Sequence, residues 1–136
     1  MDIAKNEIKR IGGLNPLPPD NRDFKLGAAF TLPALSELPA EFEHPILGIS
    51  DQGNSDMCGA FSSCSASELQ EGVKLVPEYQ FALIKELEGG DVDSFGADLR
   101  SIMKSHVKIG ALEEKYRPQG FSIKENLRFF NFSVIF

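Results

Sequence analysis

The sequence predicts a mainly helical domain entered through an extended arm, on three observations. Three segments carry helical starts, apolar spacing and stops: a run opening near Met57, Pro77 to Leu87, and Ala97 to Val107. Most of the prolines fall between Gly12 and Pro45, where no long helix can persist. Short apolar runs, Ile46 to Ile49 and the phenylalanine-dense end from Phe121, read as strand candidates. At 136 residues the chain fits one domain, with 42% hydrophobic and 25% charged residues, enough apolar material to offset the entropy of ordering it.

Taken in order, the arm comes first. Pro16-Leu-Pro-Pro19, Leu32-Pro33 and Leu38-Pro39 fix φ and push each preceding residue to extended geometry. Phe24, Leu26, Phe30, Leu35 and Phe42 give such an arm apolar side chains to bury against a core. After Ile46 to Ile49 the turn formers Asp51 to Asp56 follow, and Asn54, Ser55 or Asp56 is the expected N-cap of the first helix. Its apolar positions Met57, Ala60, Phe61, Cys64 and Leu69 follow helical spacing up to Gly72. In the second helix Pro77 is tolerated because a first-turn N–H has no partner to lose. Glu88-Gly-Gly-Asp91 stops it. The third is expected to put Leu99, Ile102, Met103 and His106 on one face, with Gly110 as the break.

Composition excludes several functions. The formal charge is −6 and the longest basic run is Lys9-Arg10, so no line of phosphates could be neutralised and nucleic acid is not an expected partner. Neither a signal-peptide core of ~7–15 apolar residues nor a membrane span of ~18 is present, which favours a cytoplasmic address. Cys58 and Cys64 lie six residues apart on one predicted helix, too far along its axis for a disulfide, so both should be free thiols. With His44 and His106 remote from them, no metal-ligand spacing exists.

Cys58 falls in the first helical turn, where unpaired N–H groups and the helix dipole favour thiolate, the nucleophilic form. Gln52, six residues earlier on the connecting turn, could donate an amide N–H to a developing oxyanion. The segment Asp51-Gln-Gly-Asn-Ser-Asp-Met-Cys-Gly-Ala-Phe-Ser62 resembles the active-site signature of papain-family (C1) cysteine peptidases, in which Gln-Gly precedes a cysteine that opens a long central helix. By that resemblance Cys58 matches the nucleophile and Gln52 the oxyanion-hole glutamine. Leu17-Pro-Pro-Asp-Asn-Arg-Asp-Phe24 and Leu38-Pro-Ala-Glu-Phe42 resemble the leader and mature start of microbial and viral members. Val76-Pro-Glu-Tyr79 resembles the family's second helix start, and Ser94 to Met103 the segment whose glycine presents backbone to substrate, which implies a substrate-binding role for Gly96.

The resemblance implies an α+β, papain-like fold, chiefly its helical lobe with a long central helix, divided as a leader-like arm (1–37), the lobe itself (38–120) and a Phe-rich tail (121–136) whose structure the sequence leaves open. It implies thiol-dependent hydrolysis of a peptide or protein substrate, with no cofactor. Two residues depart from the pattern. Gly59 stands where the family usually has tryptophan, and Ser55 where a disulfide-forming cysteine is common, the latter suiting a reducing compartment. The family's histidine and asparagine lie about 130–150 residues after the cysteine, so they are expected beyond residue 136. His106 reads as a packed helix residue and Glu113-Glu114 as a solvated pair. Alone, such a half-domain should be inactive unless a second lobe or second copy supplies the base, and self-association is expected. The alternative is a non-catalytic peptide-binding or interaction module, docking through the Phe-rich tail.

Overall fold

A computed structural model of the chain describes residues 12–23, 25 and 31–133, and of 130–133 the backbone alone. Helix α1 spans Cys58–Glu71, α2 Pro77–Leu87, α3 Leu99–Lys108 and α4 Ile123–Ser133. Strand β1, Leu14–Asn15, pairs in parallel with β2, Ala97–Asp98, in the register Leu14 to Ala97 and Asn15 to Asp98.

The helix boundaries follow local chemistry. Gly72 ends α1 in the left-handed conformation (φ 70°) that a side chain disfavours, and its N–H bonds Glu68 O at 2.9 Å. Pro77 sits in the first turn of α2, as expected. Asp98 caps α3, its carboxylate accepting from Ser101 N–H at 2.8 Å.

The helix enclosed on most sides is α2, although α1 is longer. One side of α2 places Phe81 and Ile84 in a cluster with Ala60, Ala97 and Ile102, bordered by Met57 and Ile123. Its other side places Tyr79 and Leu83 with Val76, bordered by Leu112 and Phe129. Two polar side chains are sealed in with it. Gln80 Nε2 donates to Ser105 Oγ, and Lys85 carries its ammonium to the end of the loop before β2. Glu68 on α1 is also buried and accepts from Leu75 N–H and Lys74 Nζ, both at 2.9 Å, which fixes the α1–α2 connection.

Five expectations need correction. Ile46 to Ile49 forms no strand; a strand needs a neighbour to fill its ladder, and Lys74 Nζ bonds Gly48 O and Ser50 Oγ instead. Leu35 and Phe42 in the arm are exposed rather than buried, Phe42 meeting the His44 ring edge-on at 4.6 Å; Phe24, Leu26 and Phe30 lie outside the described residues. Leu69 is 40% exposed, because α1 turns Glu68 inward. On α3, Leu99 and Met103 are exposed while Ser105 is buried, because the Gln80 amide claims its hydroxyl. The Phe-rich end is helical: Ser122 and Glu125 cap one another across its first turn, Phe129 turns toward Tyr79 on α2, and Asn126 is buried with Arg117 as its partner.

A candidate peptide site at Cys58

The turn before α1 delivers Cys58 to the edge of the core, where it is half-buried as the first residue of the helix. None of Asn54, Ser55 and Asp56 acts as the side-chain cap; the N-cap is Met57, without a side-chain bond. Asp56 is engaged elsewhere, its carboxylate accepting from Gly96 N–H across forty residues of sequence. The Gly96 carbonyl accepts from the Lys85 ammonium, which also reaches Ser94 Oγ at 3.0 Å and Glu88 Oε2 at 3.3 Å and lies 5.0 Å from the Phe81 ring centre. Both sides of the Gly96 peptide unit are therefore clamped. Gly96 has φ +63° and so tolerates this orientation without strain.

With Gly96 held, β2 presents a main-chain edge on which the arm lies. Gly13 N–H points at Cys58 Sγ, 3.2 Å away, and Gly13 O accepts from Ala97 N–H at 2.7 Å. Asn15 Nδ2 donates to Phe95 O at 2.9 Å. Farther along, Asp23 pairs with Arg100 at 2.8 Å, and Arg100 also donates to Pro18 O. Between arm and α3 lies a cleft of 360 Å³ bordered by Leu14, Pro16, Leu17, Leu99 and Arg100.

Of the three residues singled out from sequence, Cys58 and Gly96 meet around Gly13. Gln52 sits on the turn before Cys58 with its amide spent locally: Nε2 donates to Ser55 O at 2.5 Å. His106 bonds Ser63 Oγ through Nε2 at 2.9 Å, and burial pushes its pKa below 6.5, against a smaller upward pull from Glu71. Among the described residues no histidine hydrogen-bonds Cys58. Cys64 is buried on α1, and its thiol is pushed up to about 12, first by desolvation and then by the Glu68 and Glu78 carboxylates.

The glycine at 59 has a packing reason. A Cβ there would overlap Ile102 Cδ1 and lie 3.3 Å from Cγ1, so α3 occupies the space an aromatic side chain would need. Lys85 and Asp56 escaped the sequence reading. The i, i+3 spacing of Lys85 and Glu88 was the one local signal, and it resembles any exposed helix pair. Among the described residues no group of three or more His, Cys, Asp or Glu side chains is arranged to hold a metal ion, and no helix is long and apolar enough to cross a membrane. Compared with known proteins, the chain matches no family model, no curated protein and no solved structure.

Proposed function

We propose that the chain is the helical part of a papain-like cysteine peptidase, in which Cys58 is the nucleophile and the Gly96–Asp98 edge holds the substrate backbone. The observation that carries this reading is the seating of Gly13 to Asn15: an extended main chain lies along β2 with one N–H on the Cys58 sulfur. A peptide laid there is held by main-chain hydrogen bonds, as in strand addition to a sheet edge, and passes within reach of a thiol. Attack on its carbonyl would place charge on an oxygen that Gln52 could meet after releasing Ser55 O.

The reaction also needs a base to take the thiol proton and an acid to return it to the leaving amine. His106 is committed to Ser63, so in this reading an imidazole outside these residues completes the site, from a second lobe or a second copy of the chain. Leu99, Met103 and Val107 form an exposed apolar row on α3 that suits such an apposition. The free thiols fit a reducing, cytoplasmic setting.

A second reading, a peptide-binding module without catalysis, is favoured by the engagement of Gln52 with Ser55 and of His106 with Ser63 on α1. A peptidyl electrophile separates the two. The peptidase reading expects it to label Cys58 faster than a haloacetamide of equal intrinsic reactivity, leaving Cys64 untouched. Equal rates on Cys58 would sink that reading and leave the binding module.

A further inference from the structure

Gly12 and Gly13 are neighbours, and Gly13 has no positive φ, yet the surroundings of the two differ. Among the described residues, nothing lies within 4 Å of where a Gly12 Cβ would stand. At Gly13 a Cβ would overlap Asp56 O and lie 2.5 Å from Asp56 C and 3.1 Å from Asp56 Cα. Those are main-chain atoms of the turn that delivers Cys58, and no side-chain rotation relieves the overlap. On the opposite side Gly96 is equally close: a Cβ there would overlap Gly13 O and lie 2.8 Å from Gly13 C. The docked backbone thus passes through a slot one backbone wide, walled by Asp56 and by Gly96.

The slot cannot easily widen. The Asp56 carboxylate bonds Gly96 N–H, which ties the two walls together, and Lys85, wholly buried, fixes the Gly96 carbonyl from behind. We propose that this site is glycine-selective: it takes an extended peptide whose residue between Asp56 and Gly96, with its N–H toward the Cys58 thiol, is glycine. The residues after the glycine are less constrained. Leu14 is 54% exposed and borders the open cleft, and Asn15 contributes one side-chain bond to Phe95 O. The ligand class is therefore a peptide strand with one obligatory glycine, of which Gly13-Leu14-Asn15 is the copy carried in cis. This inference rests on the reading of the Cys58 edge as a peptide site.

Gly13→Ala and Gly12→Ala in the full chain test it, read by hydrogen exchange at the Ala97 amide and by the alkylation rate of Cys58. The selective slot predicts that Gly13→Ala speeds both by roughly tenfold or more, as a local opening does, while Gly12→Ala leaves both unchanged. Protection of the Leu83 and Ile84 amides in both variants establishes that the core is folded. If Gly13→Ala keeps the protection of the unmodified chain, selectivity is refuted and docking stands. If the unmodified chain already exchanges Ala97 freely, docking itself is refuted, and the inference with it. A free peptide with the sequence of residues 11–16, added to the Gly13→Ala protein, should slow Cys58 alkylation again, and the same peptide with alanine at the Gly13 position should not. Slowing by both peptides, or by neither, overturns the proposal.

Discussion

The arm at Gly13 to Asp23 and helix α4 both close onto the helical core, but with different chemistry. The arm is held by main-chain bonds to Ala97 and by the solvent-facing Asp23–Arg100 pair, while Leu32, Leu35 and Phe42 beyond it are exposed. In α4, side chains make the attachment. Phe129 meets Tyr79 edge-on at 6.1 Å, the Arg117 guanidinium lies 4.7 Å from the Phe129 ring centre, and the buried Asn126 accepts from Arg117 Nε at 2.8 Å while donating to Phe121 O and Ser122 O. Burying apolar and aromatic surface stabilises far more per residue than an exposed ion pair or one exchanged hydrogen bond. The lesson is that α4 belongs to the folded core, whereas the arm occupies the Cys58 edge in a form that another peptide strand could replace.

The largest expected effect lies in α4. Phe129→Ala should cost about 2 kcal/mol in a urea titration, below the full cost of a core phenylalanine because the ring is only half-buried. An unchanged midpoint would mean that α4 is an appendage like the arm. Asn126→Ala should cost about 1–2 kcal/mol, since it removes the acceptor of Arg117 Nε and the donor to Phe121 O, while Ser122 O keeps the backbone N–H of residue 126. Arg100→Ala comes next. Global stability should fall by less than about 1 kcal/mol, yet Ala97 amide exchange should accelerate while α2 amides do not, which locates the loss in the arm. Phe42→Ala should change stability by no more than about 0.5 kcal/mol, as expected for an exposed side chain; a larger loss would show that the arm is packed after all.

The smallest effect concerns pH. His106 in the fold has a pKa below 6.5, so below that pH the unfolded chain binds the proton more readily and stability should fall as pH drops from about 6.5 toward the lower folded value. His106→Gln should flatten this part of the profile. Because the imidazole is half exposed, the change should be slight, and a chain that instead gains stability on acidification would contradict the burial that lowers the pKa.

Particular residues mark how far the sequence could be read. Gly72, Pro77 and the Gly89-Gly90 stop set helix boundaries through φ and missing N–H groups, which act within one or two residues of the chain. Cys58 in a first helical turn was legible for the same reason. Leu99 and Met103 were misread because spacing tells which residues share a face and not which face meets the core; the Gln80 amide, binding Ser105, decides that. The phenylalanines from Phe121 onward read as a strand candidate by composition, and the docking of Phe129 against α2 and of Asn126 against Arg117 accompanies the helical outcome.

By itself, then, the sequence determined the positions of α1 to α3, the lack of a long helix in the described part of the arm and the thiol at a helix start, because turn residues, prolines and apolar spacing are local in their effects. Only the tertiary structure decided that Gly13 lies between Asp56 and Gly96, that Lys85 is sealed behind Gly96, and that α2 is the enclosed helix. Strand pairing between Leu14 and Ala97 depends on main-chain groups every residue possesses, and burial depends on which elements meet, so neither leaves a mark in the neighbouring sequence.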